Sequence, residues 1–364
     1  MADHDPALAR LIEQVEQALH SRSPLDIRGG GTKLFYGGAA VGRLLDLREL
    51  RGISSYEPSE LVVTARAGTP LAELEAALAE RGQCLPFEPP RFTSGGTVGG
   101  MVAAGLSGPP RASVGSVRDH VLGLTLLNGR GELLSFGGQV AKNVAGYDVS
   151  RLMAGSMGIL GVICEVSIKV LPSSVASATL SFECDAASAV QRLNGWASQP
   201  LPINATAWCD GRLNVRLSGA AAAVAAARDK LGGDTMPPEA AGAWWTGVRD
   251  HAHEFFALNA TVLGAGEALW RLSVPTTAAP LTLAGRQFIE WNGAQRWWRT
   301  SASASQVRAA AGGCGGHAVL HRGADKSAGA FSPLNATLMG IHRGLKKAFD
   351  PSNIFNPGRL YAGL

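Results

Sequence analysis

Two runs almost bare of side chains constrain this chain most: Arg28-Gly29-Gly30-Gly31-Thr32-Lys33 and Ser94-Gly95-Gly96-Thr97-Val98-Gly99-Gly100. Without Cβ atoms the main chain can approach a ligand closely, and consecutive N–H groups aimed one way make a concave anion nest. The pairing of two such loops predicts a pyrophosphate as guest, although triple glycine on its own also suits a plain flexible loop. There is no GxGxxG run opening a helix after a strand and no GxxxxGK[ST] run, so neither a Rossmann site nor a P-loop is encoded.

With 364 residues the chain exceeds the size at which one core usually keeps growing, so two domains are expected. Hydrophobic residues at 46% and charged residues at 17% place it among soluble globular proteins. A net charge of +4 spread along the sequence gives no basic stripe for nucleic acid. The acidic start at Asp3 and Asp5 is unlike a secretory signal, and the alanine-rich run from Ala220 to Ala227 is far shorter than the roughly 20 residues a membrane span needs. Cys84, Cys164, Cys184, Cys209 and Cys314 are scattered, with no CxxC pair, and encode neither a disulfide framework nor a cluster site.

Asp5-Pro6 reads as an N-cap and first helical position, followed by Leu8, Leu11, Ile12, Val15 and Leu19 at helical spacing. Strands are expected at 25–28 and 61–67, then a helix capped by Thr69, with Leu71, Leu74 and Leu78 on one face and Gly82 past its end. Gly129-Arg130-Gly131 joins the arms of an antiparallel hairpin, and residues 161–170 alternate with Glu165, Ser167 and Lys169 facing outward. After Pro172 the sequence turns alanine-rich. Strands near 176–184, 204–208 and 213–217 and helices near 220–231 and 238–256 suggest an α+β second domain. Six tryptophans fall between Trp244 and Trp298 and are expected mainly in core.

Residues 140–163, VAKNVAGYDVSRLMAGSMGILGVI, taken with the two glycine loops, resemble the FAD-binding domain of the vanillyl-alcohol-oxidase superfamily, also named after p-cresol methylhydroxylase. The tail Asp350-Pro351-Ser352-Asn353-Ile354-Phe355-Asn356-Pro357-Gly358-Arg359 is similar to the ending of D-lactate dehydrogenases and glycolate oxidase subunits in that superfamily. The resemblance implies an α+β, two-lobed FAD domain over 1–172, a shortened α+β cap over 173–330, and a C-terminal segment, 331–364, that returns to the FAD domain. It also implies one extended FAD slot built from Arg28, Gly29, Gly30, Gly31, Thr32, Lys33, Ser94, Gly95, Gly96, Thr97, Gly99, Gly100, Gly155, Ser156, Gly161, Val162 and Ile163. Some members attach the flavin to a histidine directly after the triple glycine. Thr32 and Lys33 stand there in this chain, so non-covalent FAD is expected.

Catalytic chains of the lactate and glycolate branch carry an HxHxGDGN-like cluster in the cap, and no such run occurs here, so no metal site is expected. Oxidising a 2-hydroxy acid needs a cation for the carboxylate and a base for the hydroxyl proton, and His317, His321 and Arg322 are the candidates. His251-Ala252-His253-Glu254 reads as a solvated helix surface. The resemblance implies a cytoplasmic hetero-oligomer in which a sister flavoprotein and an iron–sulfur chain share the work, with any membrane association made through those partners. A self-sufficient dehydrogenase, and an interaction subunit that has lost its cofactor, remain open at the level of sequence.

Overall fold

The computed structural model describes residues 5–138, 148–264 and 266–364, so the 140–147 part of the segment quoted above lies outside the described residues. The chain divides into two compact units. The first comprises residues through Leu106, Ser116–Ser173 and Pro333–Leu364, and the second Ser107–Gly115 and Ser174–Ser332.

In the first unit, Asp5 caps the helix Pro6–Ser21 by accepting from the N–H groups of Ala7 and Leu8 at 3.1 and 3.4 Å. Its stripe of Leu11, Val15 and Ala18 is buried with Leu25, Leu45, Val162, Ile354 and Phe355 in one apolar cluster. Two short strands, β1 (Leu25–Arg28) and β2 (Arg43–Asp46), pair in parallel. A five-stranded antiparallel sheet runs in the order β3 (Ile53–Glu57), β4 (Val62–Arg66), β8 (Val162–Lys169), β6 (Val121–Leu127), β7 (Leu133–Gly137). The strands β5 (Gln83–Cys84) and β9 (Leu171–Pro172) form a separate pair.

Two sequence expectations need correction here. Ser167, expected to face outward, is buried because β8 is the central strand, and its hydroxyl shares a 2.8 Å hydrogen bond with that of Thr64. Thr69 does not cap the helix Leu71–Ala79. Its hydroxyl accepts from the N–H of Gly52 at 2.9 Å and donates to the Gly52 carbonyl at 3.1 Å, and Pro70 takes the N-cap position.

The C-terminal segment is fastened by one buried cation. Lys346, in the helix Ala336–Phe349, donates from Nζ to the carbonyls of Ile159 and Phe355 at 2.7 and 2.8 Å and to Asp350 at 2.7 Å. Asp350 in turn accepts from the N–H groups of Ile354 and Phe355 at 3.1 and 2.8 Å.

The second unit is built on an eight-stranded sheet, antiparallel throughout. Its strands are β10 (Ala176–Glu183), β11 (Ile203–Cys209), β12 (Arg212–Gly219), β13 (Asp234–Met236), β14 (Ala268–Ser273), β15 (Arg286–Glu290), β16 (Gln295–Thr300) and β17 (His317–Arg322), in the order β13-β10-β12-β11-β15-β16-β14-β17. The helices Ala186–Ala197 and Ala221–Leu231 contribute to a cluster with Leu180, Leu213 and Val215. The helix Pro238–Arg249 and Phe255–Phe256 share a cluster with Ala205, Ala207, Phe288 and Trp297. Trp245, Trp270, Trp291, Trp297 and Trp298 are all buried. Residues 107–115, inside the range expected for the first domain, belong to this unit. Trp291 Nε1 donates to the Gly108 carbonyl at 3.0 Å, and the Ser113 hydroxyl reaches the carbonyls of Ile203 and Asn204 at 2.9 and 2.8 Å. No helix among the described residues is long and apolar enough to cross a membrane.

Removing one partner of a buried ion pair strands the other charge. Lys346→Met is expected to cost about 3–5 kcal/mol of stability, read as a lowered urea midpoint. A loss under about 1 kcal/mol would show that the pair does not fasten the tail.

Candidate functional site

Where β1 ends, the chain enters a hollow lined by Arg28, Gly29, Gly30, Gly31, Thr32, Lys33, Thr97 and Gly100, with Asp26, Met157, Asn356 and Arg359. Its empty volume is about 550 Å³, open mouth included. An adjoining hollow shares Ile27, Gly29, Gly100, Met157 and Asn356 with it and adds Gly99, Gly161 and Ile163. Together they form one trough within the first unit.

The glycines in it serve two different ends. A Cβ on Gly30 would fall 1.4 Å from the Gly95 carbonyl oxygen, and one on Gly29 would fall 2.2 Å from Thr97 Oγ1, so these two are bare because the loops touch each other. Gly31 has φ +70°, a left-handed conformation that glycine adopts without steric cost. Gly100 is different, since the nearest atom to a Cβ there is Thr97 Oγ1 at 3.1 Å, and the residue lines both hollows.

Not every residue expected in the slot lines it. Ser94 and Gly95 are exposed, and Gly96 is buried with its carbonyl accepting from the Leu71 N–H at 2.8 Å. Val162 points its side chain into the apolar cluster below. Gly155 and Ser156 line a separate hollow with Arg118, Arg151, Leu160 and His342.

Asn356 and Arg359 complete the trough, reaching it through the fastened tail. Asn356 accepts from the Ile27 N–H and donates to the Met157 carbonyl, both at 2.7 Å. Arg359 donates to the carbonyls of Tyr36, at 2.8 Å, and Gly38. The trough is cationic. Arg28 pairs with the buried Asp26, yet its Nε is buried with no hydrogen-bond partner among the described residues. Lys33 stands 5.6 Å from the Phe92 ring centroid. Burial lowers the pKa of Arg359, opposed by the negative charge of Asp26. A long, bare-backboned, positive trough with an orphaned guanidinium N–H fits the linked phosphates of a dinucleotide.

His317, His321 and Arg322 lie on β17 in the second unit. Leu269 of β14 pairs with Arg322 and the next residue, Trp270, with Leu320, so His321 is the extra residue of a bulge. Such bulges re-aim side chains and are common beside functional sites. His321 is fully buried. Its ring centroid is 4.8 Å from that of Trp297 and 5.0 Å from that of His251. His317, at the far end of the strand, is exposed, so the two histidines do not converge.

His251 overturns its reading as a solvated helix residue. The helix ends at Arg249, and His251 follows with φ +57°, its ring stacked on Phe256 at 4.2 Å and edge-on to Trp297 at 4.8 Å. Arg271, facing Trp297 and Val319 across the sheet, shares this face. Burial, and then the positive charges of Arg322 and Arg271, push the His251 pKa down to about 3. Burial and the positive neighbours His251, Arg271 and Arg322 likewise hold His321 well below the usual imidazole range. Behind them, buried Glu290 accepts from Trp297 Nε1 at 2.5 Å and Gln295 Nε2 at 3.0 Å, and burial raises its pKa to about 7. No group of three metal-ligating side chains occurs among the described residues.

Residues 8–137 match the family described as FAD binding domain. Over 354 residues, covering 97% of each protein, the chain is 47% identical to glycolate oxidase subunit GlcE of Escherichia coli (strain K12). It is 31% identical over 161 residues to glycolate oxidase subunit GlcD of Bacillus subtilis (strain 168), a match covering 44% of this chain and 34% of that protein. It is also 31% identical over 167 residues to a D-lactate dehydrogenase of Anaerostipes hadrus, covering 45% and 35%. Among solved structures, alkyldihydroxyacetonephosphate synthase superposes with a TM-score of 0.66 at 16% identity over 98% of this chain and 75% of that one, which is a likeness of fold.

The raised pKa of Glu290 has a direct pH consequence. A group whose folded pKa lies above its unfolded value of 4.5 adds stability that is full below 4.5 and lost as the pH rises through about 7. His251, depressed from 6.5, acts in the opposite sense, and its contribution is lost as the pH falls below 6.5. Glu290→Gln should therefore hold its stability better than the wild type between about pH 5 and about pH 8, by on the order of 3 kcal/mol. Urea unfolding at the two pH values checks this. Parallel pH profiles for the two proteins would mean that Glu290 does not change protonation in the fold.

Proposed function

Because the chain belongs to the family of glycolate oxidase subunit GlcE and is an FAD-dependent oxidoreductase, we propose that it is one subunit of a multi-chain enzyme that oxidises glycolate, or a related small 2-hydroxy acid such as D-lactate, to the 2-oxo acid. The trough carries this reading. Arg28 to Lys33, Thr97, Gly99, Gly100, Gly161 and Ile163 would hold FAD non-covalently, with Asn356 and Arg359 closing the tail side. Ser94, Gly95 and Gly96 would support the first loop from behind. When bound, FAD supplies the two-electron acceptor for the hydrogen on the hydroxyl-bearing carbon.

The chain's own residues bind the acid and manage its proton. Arg322 supplies a cation for the carboxylate. His321, which burial and positive neighbours hold as a neutral imidazole, is the candidate acceptor of the hydroxyl proton.

Electrons leave through a partner. The five cysteines are free, and burial raises the thiol pKa of Cys164 and Cys209 to about 12, as in inert core positions. An iron–sulfur chain and a sister flavoprotein are the partners this reading requires, and a cytoplasmic complex would meet a membrane only through them.

The purified chain should carry about one flavin, released on denaturation. Gly100→Leu, which fills the trough with little protein to displace, should lose that visible absorbance at unchanged circular dichroism. A colourless wild-type protein that does not take up added FAD would sink the assignment.

A further inference from the structure

The helix Ala336–Phe349 is amphipathic, yet of its residues only Lys346 is buried. Leu338 and Ile341, three residues apart and so on one side of the helix, are 45% and 55% exposed. Leu345 continues that row and lines a hollow within the first unit, walled also by Leu152, Leu160 and Leu360, with an empty volume of about 1030 Å³, open mouth included. Leu152 is itself 37% exposed. Apolar side chains set in a row beside an apolar hollow mark a surface that another element covers.

The charge on this helix is one-sided. From Ala336 to Phe349 there are His342, Arg343, Lys346 and Lys347 and no acidic residue. Lys346 is engaged inside by Asp350, while Arg343 and Lys347 are exposed with no carboxylate partner among the described residues. Arg118, which lines the hollow, is likewise exposed with none. Cations thus border the apolar row both on the helix and in the hollow. A second copy would bring cations to cations on a chain already at +4, so the surface is complementary to carboxylates and not to itself. Two glycines add to this. Gly340 and Gly344 are exposed one turn apart, and a Cβ on either would meet no described atom within 4 Å outside the helix's own backbone. Glycine is the least helix-favouring residue after proline, and the chain's own packing does not call for it there. A bare helix face lets the axis of a second helix come close.

We propose that this face of Ala336–Phe349, with its hollow, docks an amphipathic α-helix of a partner chain, whose apolar side chains cover Leu338, Ile341 and Leu345 and whose flanking carboxylates meet Arg343, Lys347 and Arg118. This rests on the multi-chain reading above for the existence of a partner, and it names the surface that reading leaves open. A large apolar side chain of the partner helix fills the hollow beside Leu152 and Leu360 as the anchor of the contact. None of these residues lines the trough, so docking and flavin retention are separable.

The full-length, flavin-loaded chain is co-expressed with the sister flavoprotein and iron–sulfur chains of the same organism, and assembly is followed by size-exclusion elution and amide hydrogen exchange. Assembly should slow exchange across residues 337–348. Gly344→Leu and Ile341→Lys should each weaken the complex by about tenfold or more, and Arg343→Glu combined with Lys347→Glu should weaken it more at low salt than at high salt. Flavin content should not change. Gly344→Leu should raise the urea midpoint, because leucine favours a helix more than glycine does, so a weakened complex would not reflect a damaged fold. Folded variants at 341 and 344 that assemble as the wild type does would overturn the proposal and leave the multi-chain reading standing. A wild type that assembles with neither chain would overturn both. Should a variant not fold, unchanged exchange over 337–348 in the wild-type complex would overturn the proposal equally. A wild-type dimer that Gly344→Leu dissociates would give the face to a second copy instead, and phosphatidylserine vesicles bound by the wild type but not by Ile341→Lys would give it to a lipid surface; either result overturns the proposal.

Discussion

A lysine ammonium taken out of water must be repaid in full by polar partners, or it neutralises or destabilises the fold. Lys346 meets that demand with three acceptors, two of them main-chain carbonyls from Ile159 and Phe355. Burial pulls its pKa down, and the charge and hydrogen bond of Asp350 pull it back up. Because the carbonyls come from separate stretches, the ammonium can be satisfied only when both have arrived. The tail is thereby fixed against β1, where Leu25 bridges Phe355 in parallel. Asn356 and Arg359 follow within four residues and enter the trough wall. One end of the trough thus depends on a charge that never touches it.

The same economy governs the glycine loops. Gly29 and Gly30 allow the loops to meet at Thr97 and Gly95, and that meeting makes the trough wall continuous. A ligand was the intuitive reason for bare backbone at every one of these positions. Distances divide the credit, because a side chain at 29 or 30 would strike protein before it struck any guest. Gly100 differs, because a Cβ there has only Thr97 Oγ1, at 3.1 Å, as a near neighbour. The trough wall therefore rests on a loop–loop contact made by protein atoms alone.

Much of the first unit was legible because its signals are local. An Asp-Pro start and a 3.6-residue stripe specified the helix Pro6–Ser21, and a glycine turn between apolar runs specified the β6–β7 hairpin. What escaped the sequence was decided by neighbours far away in the chain. Ser167 is inward because β8 is flanked on both sides, which its alternating pattern does not reveal. Thr69 has the composition of a cap but is claimed by Gly52. Gly155 and Ser156, adjacent in sequence to residues that line the trough, face another hollow because the chain turns at Met157, which has φ +54°. His251 carried no periodic signal at all, since a helix end and a distant bulge bring it to His321.

In the second unit the chemistry is layered from the inside outward. Glu290 is buried, which raises its pKa to about 7, while the indole N–H of Trp297 and the amide of Gln295 that it accepts from pull the other way. That contact fixes Trp297, whose ring in turn touches both His251 and His321. An imidazole packed against these aromatic rings is held in place, and burial, with its positive neighbours, disfavours its protonated form.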